Sequence, residues 1–194
     1  MSPRGVAIPD LRERLFAAAE RVVARDGAGA LTSRAVTEEA GCGKGVLHTH
    51  FAGLDTFVAE LVLDRFAATA RLIHALPARA GEDTVSRNVV QAARTLTDSL
   101  DPGIVALALT LPGASSHTRR AWQEGAPGFA VIEESVRAYL VAEQELGRVP
   151  ADTDTAAAAL ALVGTLHHLL MTRTAGSPPP EDQVERLVAL LLHS

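Results

Sequence analysis

Cysteine and lysine are nearly absent from this 194-residue chain, which has one of each, Cys42 and Lys44. A lone cysteine closes no intrachain disulfide, so nothing points to an oxidising compartment. Aromatic residues make up only 4%, and alternating β-branched runs are few, so strand signals are poor. The longest apolar run, Ala156 to Val163, is mostly alanine. It falls short of the roughly 18 residues of a membrane span. Met1 to Asp10 holds no apolar stretch of the secretory-signal kind. These absences make a cytoplasmic location without membrane contact the expectation. An excess of positive charge is missing too, with 18 Lys plus Arg against 23 Asp plus Glu and a net charge of −5. That excludes a sequence-blind nucleic-acid coat protein, which is basic overall. It leaves room for a protein with one small basic face.

What is present is 47% apolar and 21% charged, the balance of a folded chain rather than a disordered tail. The length suits one domain or two small ones. Gly and Pro cut the sequence into segments that read as helices. Asp10 and Glu13 resemble a capping box. Behind them Leu11, Leu15, Ala18, Ala19, Val22 and Val23 keep a spacing of 3–4 residues up to Gly27. Further helices are expected over about 33–40, 44–49, 54–76, 83–100, 103–111, 115–124, 128–146, 152–174 and 181–193. Ser115-Ser116-His117 reads as a loop or cap, and Asp152 and Asp154 as caps. The expectation is an all-α fold of nine or ten helices. Residues 1–53 would be an N-terminal three-helix unit and 54–194 a second helical domain.

Residues 33–49 have the layout of a helix-turn-helix. Two short helices are joined by Ala40-Gly41-Cys42-Gly43, a turn short enough to aim the second helix into a major groove. Gly41 can take the left-handed conformation that such a turn demands. Val36, Ala40 and Leu47 would pack on the first helix, with Cys42 as a small apolar plug.

The stretch Ala40-Gly41-Cys42-Gly43-Lys44-Gly45-Val46-Leu47-His48-Thr49-His50-Phe51 resembles the recognition region of the tetracycline-repressor (TetR) family. There an Ala-Gly-Val-Ser-like turn precedes a short helix ending in Leu-Tyr-x-His-Phe. The specific likeness spans about residues 10–60. It implies that Lys44, Gly45 and His48 fall where the family reads bases, with Lys44 and His48 offering donors to guanine N7 or O6. Thr32, Ser33 and Arg34 would open a helix whose N-terminus suits a phosphate. Thr49 and His50 match the phosphate-contacting end, and Phe51 would be core. Three departures stand out: Gly43 replaces the family's usual serine, His48 its tyrosine and Leu54 its common lysine before the fourth helix.

The C-terminal part reads as an interaction surface. The helix from Ala156 is apolar almost all round, so it needs cover on every side. That places Leu160, Val163, Gly164, His167 and Met171, with Val184, Leu187, Val188 and Leu191 of the last helix, at a twofold homodimer interface. Between this surface and the N-terminal unit lie three apolar stripes: Val62, Phe66 and Ile73; Val89, Ala93 and Leu96; Phe129, Ile132, Val136 and Tyr139. The resemblance implies that they enclose a cavity for a small, largely apolar effector, oriented by Asn88, Gln91, Glu133, Thr165 and His168. Adjacent histidines such as His167 and His168 point about 100° apart on a helix and do not chelate one metal, so no metal and no cofactor is expected.

No Gly-x-Ser-x-Gly, His-Glu-x-x-His, phosphate-cradling glycine loop or Cys-x-x-Cys occurs, so an enzyme is not expected. The expected function is a ligand-responsive transcriptional repressor that binds palindromic operator DNA as a dimer. The alternatives are a TetR-like helical small-molecule-binding protein with degenerate DNA reading, or an all-α enzyme using the cavity. Charge divides in the same sense. Residues 1–53 hold seven cations and six acids, a net of +1, and the remainder carries −6.

Overall fold

In the computed structural model, residues 11–99, 101–172 and 181–192 are described. Among them there are ten α-helices and no strand. In chain order they are α1 (Leu11–Asp26), α2 (Ser33–Glu39), α3 (Val46–Phe51), α4 (Leu54–Ile73), α5 (Val85–Ser99), α6 (Pro102–Thr110), α7 (Pro112–Gln123), α8 (Phe129–Glu145), α9 (Thr155–Thr172) and α10 (Glu181–Leu192). Two short 3-10 turns, Ala28–Ala30 and Leu76–Arg79, follow α1 and α4.

The punctuation in the sequence explains most boundaries. Gly27 ends α1 with φ +82°. Thr32 caps α2 by accepting the Ala35 N–H at 3.1 Å. Pro102 and Pro112 open α6 and α7 at the position where a missing N–H costs nothing. That early start draws Ser115, Ser116 and His117 inside α7, so they form neither a loop nor a cap. Asp154 caps α9, accepting from the Ala156 and Ala157 N–H groups at 3.1 and 3.0 Å. Asp152 makes no such contact and lies in the preceding turn. The Asp10 half of the expected capping box, and the Pro178–Pro180 break, lie outside the described residues.

The N-terminal three helices and the start of α4 close on an aromatic triad. Phe16 of α1, Phe51 of α3 and Phe57 of α4 have ring centroids 5.0–5.9 Å apart, the Phe51–Phe57 pair edge-on. All three are buried, and such edge contacts add to the gain from area alone. Val36, Ala40 and Leu47 are buried beside them, as the sequence leads one to expect.

Behind this unit, α4 runs through the molecule and packs on α5, α6, α7 and α8. By length and composition α9 is also apolar enough to cross a membrane, because Gly164 and Thr165 end the unbroken apolar run but not the helix. Ala158, Ala159, Leu162, Val163, Leu166 and Leu170 turn one side of it into the protein core.

Candidate DNA-reading surface

The turn between α2 and α3 is built from the backbone outward. Gly41 has φ +64°, where a Cβ would cost about 1–2 kcal/mol. The Cys42 N–H donates to Thr37 O at 2.8 Å, and Arg14 of α1 donates to Ala40 O at 2.7 Å, tying the turn to α1. Cys42 is half-buried against the core, in the expected plug position.

Helix α3 begins later than the sequence suggests. Val46 is its first residue and Gly45 its N-cap, so Lys44 stands in the turn just ahead. The cause is local: the Val46 N–H donates to Gly43 O at 3.0 Å, a turn that closes before the helix starts. Lys44, Gly45, His48, Thr49 and His50 are all exposed on this edge. Thr49 also donates its hydroxyl back to Gly45 O at 3.0 Å, so its side chain is partly engaged within the helix. At the start of α2, Thr32 and Arg34 are exposed and Ser33 is half-buried.

The arginines of this unit are largely occupied. Arg12 pairs with Glu60, Arg21 and Arg25 with Glu39, and Arg34 with Glu38. Among the described residues, Lys44 takes part in no ion pair and stands as a free cation on this exposed edge. The Arg34–Glu38 pair is solvent-exposed and so worth little.

Gly45 has an ordinary helical φ of −84°, and a Cβ there would meet nothing within 4 Å. The fold therefore does not require glycine. Gly45→Ala should leave the thermal midpoint unchanged or slightly raised and weaken DNA binding. A loss of stability without a change in affinity would show that the residue serves the fold alone.

Glu39 locks α2 to α1. Its carboxyl is held below the usual carboxylate range by hydrogen bonds from Arg21 first and Arg25 second. A carboxyl depressed in the folded state contributes fully above its unfolded value of 4.5, and the contribution is lost as pH falls below that. Urea midpoints of wild type and Glu39→Gln should therefore differ at neutral pH and converge on acidification. A constant gap would contradict the assignment.

A second charged clamp joins α1 to α4. Arg65 donates to Glu13 at 2.8 and 3.0 Å and to Glu20 at 2.7 and 3.0 Å. The same guanidinium lies over the Phe16 ring at 5.7 Å. These hydrogen bonds, that to Glu20 foremost, hold Arg65 even more firmly protonated than usual.

Behind the reading unit the apolar stripes pack as core. Val62, Phe66, Ile73, Val89, Ala93, Leu96, Ile132, Val136 and Tyr139 are buried, and Phe129 is half-buried. Two of the expected orienting groups sit elsewhere. Gln91 lies on the outer side of α5, in a groove of about 300 Å³ with Arg79, Arg87 and Glu185. His168 is exposed on α9. Both follow from helical phase, because neighbours 100° apart cannot all face inward. Glu133 and Thr165 are half-exposed.

Asn88 is buried and donates to Tyr139 Oη at 3.0 Å and to Glu82 O at 2.8 Å. Tyr139 is hydrogen-bonded in turn to Glu143, and burial first, then this bond, raises the phenol well above its ordinary range. Glu143, fully buried, accepts from the Gly81 N–H at 3.3 Å and pairs with Arg148 at 3.1 Å. Sequence reasoning missed Glu143. Its signal was an acid in phase with Ile132, Val136, Tyr139 and Leu140.

A second cluster runs outward. Phe66 meets Trp122 at 5.5 Å and Phe129 at 4.9 Å, and Phe129 meets His167 at 4.7 Å, all edge-on. The Trp122 Nε1 and Thr118 Oγ1 atoms of α7 are shut off from solvent without a partner.

On α9, Ala156, Ala157, Leu160, Gly164, His167 and His168 form the exposed side, with Met171 at its edge. Leu160 is 59% exposed and Leu190 of α10 is 75% exposed. Leu190 was not among the expected interface residues. Conversely Val163, Val184 and Val188 are buried within this chain, so they belong to its own core rather than to a partner-facing surface. Leu187 and Leu191 are half-buried between the two.

Residues 15–61 match the family model of bacterial regulatory proteins, tetR family. The fatty acid degradation regulator FadR from Bacillus halodurans superposes with a TM-score of 0.67 at 14% identity, over 100% of this chain and 98% of that one. The TetR family transcriptional regulator PfmR from Thermus thermophilus gives 0.64 at 17%, over 93% and 98%. The multidrug binding protein EbrR, solved with imidazole, gives 0.59 at 24%, over 96% and 97%. No curated protein matches the chain in sequence. Residues 15–61 thus match the tetR-family model of bacterial regulatory proteins, and the fold of the whole chain is similar to that of solved TetR-family transcriptional regulators.

Proposed function

We propose that this chain is a cytoplasmic, ligand-responsive transcriptional repressor that reads palindromic operator DNA as a homodimer. The observation that carries the reading is the exposed edge formed by Lys44, Gly45 and His48, with Lys44 free of any ion pair among the described residues. In this reading Lys44 and His48 contact base edges and Gly45 lets the backbone approach the groove wall. Thr32, Ser33, Arg34, Thr49 and His50 hold phosphates, which fix register without reading sequence. Residues 1–53 act as the DNA-binding domain and 54–194 as the effector-binding and dimerisation domain.

A dimer is what paired recognition helices require, since half-sites lie one DNA turn, about 34 Å, apart. The exposed leucines of α9 and α10 favour that surface as the place where two copies meet. The effector is a small, largely apolar molecule. The aromatic cluster Phe66, Trp122, Phe129 supports such a ligand, as do the fatty acid regulator and multidrug binding protein of like fold. Effector and operator would then be linked reciprocally, each weakening the other by the same factor, typically about 5–150-fold.

A second reading, a small-molecule-binding protein that has lost DNA reading, is favoured by Leu54, which offers no cation where α4 begins. Selection of duplexes from a random library by the purified protein separates the two. Enrichment of a palindrome with half-sites about one turn apart supports repression. Recovery of no common sequence at low salt supports the second reading.

A further inference from the structure

α6 and α7 begin with the same dipeptide, Pro102-Gly103 and Pro112-Gly113. Proline suits the first position of a helix. Glycine in the second position has no such reason, since it is a poor helix former. The two glycines share something else. A Cβ on Gly103 would lie 2.7 Å from Val23 Cγ1, near the end of α1. A Cβ on Gly113 would overlap Asp55 Oδ2 and lie 3.0 Å from Asp55 Cβ, in the first turn of α4. Neither glycine has positive φ, so what demands glycine is close approach, not backbone freedom. One other described glycine is as tight, Gly128 against Trp122 at 2.9 Å, and that contact joins α7 to α8.

Both contacts touch the reading unit at the ends of its supports. Val23 lies near the end of α1, whose Arg21 and Arg25 grip α2 through Glu39. Asp55 stands two residues beyond the Ala52-Gly53 link that joins α3 to α4, and Ala52 itself is held at φ +56°. The Asp55 carboxylate accepts the Gly113 N–H at 3.1 Å. It thereby sits between the positive ends of α4 and α7. Beside the α1 contact lies an open groove of about 670 Å³, lined by Ala17, Arg21, Asp98 and Pro102.

We propose that Gly103 and Gly113 are positioning residues that set the angle of the recognition helices on the body, Gly103 through Val23 and Gly113 through Asp55. Restoring an ordinary separation of about 3.5 Å after adding a methyl needs the Val23 or Asp55 side chain, or the helix that carries it, to give by about 1 Å. The burial of Val23 and the short approach to Asp55 Cβ direct part of that onto the helix. In a dimer that shift is applied to both recognition helices at once, so it changes their spacing on DNA. The proposal rests on the DNA-reading function above and assigns that function two residues far from the groove.

The test uses the full chain and the palindromic duplex it selects, followed by fluorescence anisotropy. Gly103→Ala and Gly113→Ala should each lower affinity by about tenfold or more while self-association and Trp122 emission stay as in wild type. Gly103→Ala with Val23→Ala adds one methyl on α6 and removes both Val23 γ-methyls, including the Cγ1 it would strike, and should bind about tenfold better than Gly103→Ala alone. Asp55→Asn, which keeps shape but weakens the bond to the Gly113 N–H, should lose roughly threefold and keeps the α7 contact testable if Gly113→Ala does not fold. Unchanged affinity in both alanine variants overturns the proposal. So does a loss that follows lost thermal stability and is not rescued at Val23, because a packing role alone would do that. Failure of the wild type to select any duplex is a different result, and overturns the DNA-reading function itself.

Discussion

Placing aspartate at both Leu160 and Leu190 should turn the protein into a monomer that no longer holds a palindromic duplex. These two leucines are the most exposed apolar groups of α9 and α10, at 59% and 75%. Covering such a side chain is worth about 1.5–3 kcal/mol. Across a twofold axis each change occurs twice, so self-association should weaken by roughly 100-fold or more. The monomer itself should keep its fold, because the cores of these helices are Val163, Leu166, Val184 and Val188 on the opposite sides. Gly164 lies on the same exposed side, and a Cβ there would meet nothing within 4 Å. That leaves room for another helix to approach closely. Sedimentation of wild type and variant across a concentration series checks the claim. An unaltered association constant would move the interface elsewhere.

Lys44→Ala should cost about 1–3 kcal/mol of specific DNA binding, or roughly 5–150-fold, with no change in the unfolding midpoint. The side chain is exposed and makes no ion pair among the described residues, so the protein loses nothing when it is removed. If Lys44 reads a base, the preference at one position of each half-site should relax. If it holds a phosphate instead, affinity should fall evenly over all sequences and the salt dependence should drop by about one unit. Comparing selected and singly altered duplexes at two salt concentrations distinguishes the two. Equal affinity of variant and wild type would remove Lys44 from the contact set.

Much of this arrangement was legible in the chain, and the reasons are physical. Helix ends marked by Gly27, Thr32 and Pro102 are local events, set by caps and by φ, whereas α7 starts at Pro112, ahead of the expected 115. The turn at Ala40 to Gly43 was readable for the same reason. Its junction with α3 was not, because the competing turn at Gly43–Val46 is decided by one backbone hydrogen bond. The interior was legible as stripes but not as neighbours. Asn88 and Tyr139 were both expected to face inward, and the bond between them depends on how α5 and α8 cross. Glu143 was overlooked because an acid reads as a surface residue until Arg148 and Gly81 are brought to it. Gln91 and His168 failed through phase: Gln91 follows buried Val90, and His168 lies midway between buried Leu166 and Leu170, so both point out. Val163, Val184 and Val188 failed through a different ambiguity. Sequence periodicity identifies an apolar stripe without saying whether the same chain or a second copy covers it.

The charge pattern also changes meaning with the structure. A net of +1 over residues 1–53 is small, and most of its arginines are engaged by Glu38, Glu39 and Glu60. Affinity must then come from a few placed contacts repeated by symmetry rather than from bulk charge. Such a protein should bind non-specific DNA weakly and discriminate well.

That claim is tested most directly by an anisotropy titration of the selected palindrome against a scrambled duplex of the same length and composition, at several salt concentrations. Specific binding with two protomers per palindrome, tighter than the scrambled duplex by at least about 1,000-fold at physiological salt, is the predicted result. Equal binding of the two duplexes at every salt concentration would contradict it.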